Sequence, residues 1–122
     1  MNTEQIKAQM KAEYSNIMRY WIDKMTDTEN GGYYAERDEH DNLVPDALKG
    51  CILNGRILWT FSSAALNFGN DEYKQAAKRA FDYIVAYFHD KKNGGFFWSL
   101  DKYGKPVDTK KQAYAQGFVI YG

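Results

Sequence analysis

The sequence predicts an all-α protein assembled from repeated helix pairs. Three observations carry the prediction: an internal repeat, two kinds of helix, and an aromatic hairpin between them. Asp27–Val44 reads DTENGGYYAERDEHDNLV, and Asp90–Val107, 63 residues further on, reads DKKNGGFFWSLDKYGKPV. Both copies keep an Asp, an Asn-Gly-Gly, two aromatics, a second Asp (Asp38, Asp101) and a closing Val in the same order. Asn-Gly-Gly supplies the positive φ values that a helix exit needs. The aromatics then read as a strand, and Asp38–Asn42 and Asp101–Gly104 as the turns of small β-hairpins.

The first helix, about 4–25, sets Ile6, Met10, Tyr14, Ile17, Trp21 and Met25 on one stripe with polar residues opposite. The second, about 46–68, is apolar on nearly every face from Cys51 to Leu66, as in a helix enclosed by others, with Asp46 as its N-cap. The third, about 71–89, is again amphipathic through Tyr73, Ala77, Ala80, Phe81, Ile84 and Phe88, and Asn70 or Asp71 caps it. The fourth, about 109–122, carries Ala113, Tyr114, Phe118, Val119, Ile120 and Tyr121. Alternating amphipathic and all-round apolar helices imply an outer ring half in water and an inner ring covered on both sides. The period is too long for the ~34-residue tetratricopeptide unit and suits an (α/α)6 toroid, whose six pairs would need roughly 380 residues. The 122 residues are therefore expected to be a single incomplete domain, the first third of such a barrel. Standing alone, the apolar flanks of helices two and four predict self-association.

Composition narrows the function. Sixteen basic and sixteen acidic residues cancel, so no long-range field favours nucleic acid or an anionic membrane. The N-terminus has no apolar run, and no segment reaches the ~18 apolar residues of a membrane span. One cysteine, Cys51, excludes an internal disulfide; together these features predict a cytoplasmic protein. The aromatic fraction, 16%, is high, and aromatics serve equally to fill cores and to line carbohydrate pockets. The acidic cluster Glu36, Asp38, Glu39 and Asp41 lacks the EF-hand spacing and reads as a solvated turn. Zinc spacing and glycine-rich phosphate loops are absent.

Three stretches carry a family resemblance. Lys49–Ser62 (KGCILNGRILWTFS), the hairpin GGFFWSLDKYGKPVD and the run KQAYAQGFVIY at 111–121 resemble, in the right order, the opening third of the N-acylglucosamine/cellobiose 2-epimerase family. The wording LNGRILWTFS is most similar to the cellobiose branch. The resemblance implies an (α/α)6 barrel and a sugar isomerase that works without metal or organic cofactor on a small-molecule sugar. In that family a histidine removes the C2 proton to form a cis-enediolate, and a second histidine reprotonates the opposite face. Arg56 matches the arginine that steadies the enediolate oxygens, and Tyr114 a pocket tyrosine. The two histidines lie further along the family's chain. His40 and His89 match neither, so residues 1–122 alone are expected to be inactive or nearly so.

Each candidate also has a plainer reading. Arg56 in an apolar helix needs either a structural ion partner or a wet cavity. Tyr114 is a pocket residue or a core tyrosine with a satisfied hydroxyl. Trp98 stacks on a sugar ring or forms a lid over helix ends. Asn54 is a substrate contact or, pointing away from Arg56, a hydrogen bond that orients a neighbouring helix. Trp21 and Trp59 read as packing, and Cys51 as a buried small residue. Two other functions compete: a non-catalytic assembly module, and a toroid glycoside hydrolase using paired carboxylates. Against the second, the apolar helix contains no acid beyond Asp46 at its start.

Overall fold

The computed structural model describes residues 1–122. Four α-helices form: α1 (Thr3–Met25), α2 (Cys51–Phe68), α3 (Asp71–Tyr83) and α4 (Ala113–Tyr121). Three short strands, β1 (Lys49–Gly50), β2 (Ser99–Leu100) and β3 (Pro106–Asp108), make one antiparallel sheet in that order. Local chemistry explains the helix ends. Asn2 and Gln5 form a reciprocal capping box on α1, each side chain accepting the other's backbone N–H at 2.9 Å. Asn70 caps α3 by accepting from the Glu72 N–H. Gly69 ends α2 in the left-handed region at φ 62°.

The structure corrects several boundaries. The second helix starts at Cys51, because Lys49 and Gly50 pair as β1 with Leu100 and Ser99. Asp46 caps nothing; it lies exposed and receives the Lys102 ammonium. The third helix passes at Ile84–Phe88 into a π-helical turn, closed by the His89 N–H on the Ile84 carbonyl. That turn leaves Tyr83, Ile84 and Phe88 buried and Phe81 exposed. The fourth helix begins only at Ala113. Of the two hairpins only the second forms regular strands; the first is held by the isolated bridges Thr26–Tyr33 and Arg37–Leu43.

The stripe expected on α1 is also corrected. Residues 3–13 are all exposed, Ile6 and Met10 among them, because this half of the helix runs past the body. Only from Tyr14, which meets Phe68 with ring centroids 5.0 Å apart, does α1 pack. Met18 and Met25 are its buried residues and Ile17 is exposed.

Helix α2 is the centre of the core. Phe61 lies between Tyr33 (6.1 Å, near parallel) and Tyr73 (6.2 Å). The Tyr33 hydroxyl donates to the Ala76 carbonyl at 2.9 Å, and burial pushes its phenol up to about 12. On its other side α2 meets α4 at Gly55, where a Cβ would come within 3.0 Å of the Phe118 carbonyl. Only a glycine admits that close approach. The enclosure expected for α2 is incomplete: Trp59 and Leu66 are exposed, as are Ile120 and Tyr121 on α4. Trp59 stacks on Tyr121 at 5.9 Å instead of filling a core.

The aspartate turns of the two repeat copies are built alike. Asp27 accepts the Glu29 and Asn30 N–H groups, and Asp90 accepts those of Lys92 and Asn93. Each aspartate also receives a lysine: Lys49 Nζ at 2.7 Å on Asp27, and Lys111 Nζ at 2.8 Å on Asp90. Asp38 and Asp101 cap the hairpin turns in matching fashion. The Asp27–Lys49 pair is buried on both sides. Lys49 also donates to the Gly31 carbonyl and lies 4.8 Å from the Tyr83 ring centroid. Removing one partner of a buried pair strands the other charge in a low dielectric. Lys49→Met is therefore expected to lower unfolding free energy by about 3 kcal/mol in urea denaturation. Lys78→Met, which breaks the exposed Lys78–Asp82 pair, should change it by less than about 1 kcal/mol.

Candidate active site

Arg56 projects from the exposed side of α2 with no carboxylate beside it; its guanidinium carbon lies 5.9 Å from the Phe118 ring centroid on α4. Residues four apart share a helix face, so Ile52, Arg56 and Thr60 line one groove with Ile17, Trp21 and Phe61. Its volume is about 520 Å³. A second groove of about 290 Å³ runs between α2 and α4, lined by Arg56, Trp59, Thr60, Phe118 and Tyr121. None of the residues lining either groove is acidic. The site is thus a free cation set in apolar and aromatic walls, where a developing negative charge would be stabilised more strongly than in water.

Tyr114, on α4, lines neither of these grooves. It is 68% exposed and stands edge-on to Phe118, with ring centroids 4.9 Å apart. The structure places it outside the core. Phe118, touching both Arg56 and Tyr114, was not singled out from the sequence. Its i, i+4 spacing from Tyr114 was the available signal.

Trp98 sits at the mouth of a neighbouring cavity of about 460 Å³ with Leu48, Cys51, Ile52, Val107 and Asp108. Ile52 is common to this cavity and the Arg56 groove. The Lys110 ammonium lies 4.8 Å from the Trp98 ring centroid. Asn54 is not with the others. It is 2% exposed, its amide donates to the Gly50 carbonyl one turn back, and its Oδ1 has no partner. As a substrate contact Asn54 is out of reach in this arrangement, because its helical position turns it into the packed side of α2. Cys51 is buried, and burial pushes its thiol up to about 11, which removes it as a nucleophile. His40 is exposed in the first hairpin turn, and His89 meets Phe96 at a tilt, ring centroids 5.5 Å apart; neither lines the grooves at Arg56. No group of three or more His, Cys, Asp or Glu side chains converges as a metal site, and no helix is long and apolar enough to cross a membrane.

Helix pairs joined by aromatic hairpins, with a cationic and aromatic inner face, define a segment of an (α/α)6 toroid of the sugar-epimerase type. The profile of the N-acylglucosamine 2-epimerase (GlcNAc 2-epimerase) family matches residues 32–122, and the chain belongs to that family. It is 48% identical over 120 residues to a cellobiose 2-epimerase of Bacteroides fragilis, covering 98% of this chain and 31% of that protein. Among solved structures, cellobiose 2-epimerase from Spirochaeta thermophila superposes with a TM-score of 0.88 at 32% identity, covering 94% of this chain and 28% of that one. A D-mannose isomerase superposes with a TM-score of 0.81 at 26% identity, covering 93% and 28%. The chain therefore spans about a third of the length of the relatives it matches.

The start of α4, which carries Tyr114, is tied to the second hairpin through Asp90. Lys111 and the Asn93 N–H hold the Asp90 carboxyl well below the ordinary aspartate value of 3.8. A lowered folded value means that folding favours the carboxylate. Its contribution is complete above 3.8 and is lost as pH falls through the lowered value. In thermal unfolding from neutral pH down to about pH 2, Asp90→Asn should flatten the acid-side loss of stability relative to wild type. An unchanged slope would mean that the Asp90–Lys111 pair does not form in solution.

Proposed function

We propose that these residues form the part of a sugar 2-epimerase that holds the developing oxyanion. The substrate is the reducing-end glucose of cellobiose or a similar oligosaccharide, which is converted to mannose. The single observation that carries this reading is Arg56, an unpaired guanidinium on an aromatic face in a chain nearly half identical to a cellobiose 2-epimerase. Abstraction of a proton next to a carbonyl needs a base of near-neutral pKa and a positive group at the oxygen that gains charge. Arg56 supplies the positive group, two N–H donors in a fixed fork for the two enediolate oxygens. Tyr114 would supply a hydroxyl from beside Phe118, and Trp98 an apolar surface in the neighbouring cavity that shares Ile52 with the Arg56 groove. The base and the acid are the family's two histidines, which fall outside the stretch aligned here. The acid-free lining of both grooves weighs against a carboxylate-pair hydrolase.

The test uses the product of the full open reading frame with cellobiose in D2O. Deuterium at C2 of both epimers, and a mannose-terminated product, are expected. Arg56→Ala should lower kcat by about 10²–10³-fold, the scale for loss of one oxyanion donor. Hydrolysis without C2 exchange would overturn the epimerase reading.

A second reading, a non-catalytic module that associates with itself, is favoured by the exposure of Leu66 (87%) and Ile120 (81%) on α2 and α4. Residues 1–122 expressed alone should then sediment as a concentration-dependent oligomer at micromolar levels. A monomer throughout that range would remove this alternative.

A further inference from the structure

Gln116 is the residue of α4 that the functional reading leaves unused, and its hydrogen bonding is unusual. Its side-chain amide pairs with the peptide of Phe96 in both directions. The Phe96 N–H donates to Gln116 Oε1 at 2.7 Å, and Gln116 Nε2 donates to the Phe96 carbonyl at 2.9 Å. The side chain thus takes the place of a neighbouring strand, and the fit is close: a Cβ on Gly95 would lie 3.0 Å from Gln116 Oε1. Two residues further along the same segment, the Trp98 carbonyl accepts the Cys51 N–H at 2.9 Å, which fixes the first residue of α2. A continuous path of hydrogen bonds therefore runs from α4 through Gln116, the Phe96–Trp98 backbone and Cys51 into α2. Arg56 stands on α2, and Phe118 and Tyr114 on α4.

The link is specific to the second repeat. Counted from the paired lysines Lys49 and Lys111, the counterpart of Gln116 in the first copy is Asn54, whose shorter amide donates to the Gly50 carbonyl of its own helix and makes no bond to the hairpin. The aspartate–lysine pair, in contrast, occurs in both copies. The pair serves the repeat; the glutamine serves something that only α4 does.

We infer that Gln116 is a positioning residue, which sets the register of α4 against α2 so that Phe118, with Tyr114 edge-on to it, stands at the Arg56 guanidinium. As a statement about catalysis it rests on the epimerase reading above; as a statement about geometry it does not. Loss of the amide leaves the Phe96 N–H and carbonyl of a part-buried segment without partners and frees α4 to shift on the Gly55 contact. Displacement of reacting groups by about 1 Å can cost up to roughly 10²-fold in rate.

Gln116→Met, close in length and without hydrogen-bonding groups, tests both parts in the full open reading frame's product. Hydrogen exchange at the Phe96 amide should accelerate at least about tenfold, the scale of one lost hydrogen bond. The ring-current shift of the Arg56 side-chain N–H over Phe118 should collapse in the NMR spectrum. On cellobiose, kcat should fall about tenfold with KM within about twofold, the pattern of lost transition-state alignment. Gln116→Glu, which keeps an acceptor for the Phe96 N–H, should fall between wild type and Gln116→Met on every measure, and it keeps the test alive if the methionine variant does not fold. Unchanged Phe96 exchange, or an Arg56 ring-current shift that persists, overturns the inference whether or not the wild type has activity. A wild type with no C2 exchange fails the epimerase reading alone, since the two NMR readouts need no substrate.

Discussion

A buried ammonium–carboxylate contact between Asp27 and Lys49 is the interaction on which the rest of this structure depends. Asp27 terminates α1 and organises the Asn-Gly-Gly turn by accepting two backbone N–H groups. Lys49 belongs to the strand that leads directly into α2. Burial by itself would raise the Asp27 carboxyl, yet Lys49 and the turn's N–H groups outweigh it and hold the value below normal. One pair therefore sets where α1 ends, how the chain reverses and where α2 begins. Arg79 completes the knot from α3, donating to the carbonyls of Asp27 and Gly32. The turn also requires its glycine, because a Cβ on Gly32 would strike the Tyr83 ring at 2.7 Å. The same device at Asp90 and Lys111 sets the start of α4, so the repeat in the sequence is a repeat of this electrostatic junction.

With both inner helices anchored at their starts, their mutual approach decides the site. Gly55 lets α4 come against α2 at backbone distance, and that closeness brings Phe118 over Arg56. A guanidinium is weakly hydrated and planar, so it tolerates an aromatic neighbour where an ammonium would demand water. The arginine thus needs no acid to neutralise it and keeps its charge available to a ligand.

Much of this was readable from residue order. The turn glycines, the repeated aspartates and the apolar character of α2 each follow from local rules, and Arg56 stood out because a charge in an apolar helix must be explained. Tyr114 and Trp98 were singled out by residue type and motif match. That Asn54 points away from Arg56 was legible from their two-residue spacing; that it is buried and bonds to the Gly50 carbonyl of its own helix start, not to a neighbouring helix, was not. Phe118 and Gln116 escaped notice because their importance lies in partners 62 and 20 residues distant, Arg56 and Phe96. The helix starts at Asp46 and Thr109 were set too early for a related reason. Helical pattern cannot show that Lys49–Gly50 is claimed by β2 or that Lys111 is held by Asp90, contacts made between distant segments.

By itself, then, the sequence determined the helix-pair repeat, the hairpin chemistry and the aromatic and cationic residue types of the inner helices, because these depend on spacing, φ preference and side-chain chemistry within a few positions. Tertiary structure alone decided which aromatic meets Arg56, which side of α2 is covered and that Asn54 is buried. Those outcomes depend on how closely two helices approach, and that distance is set by a glycine on one chain segment and a carbonyl on another.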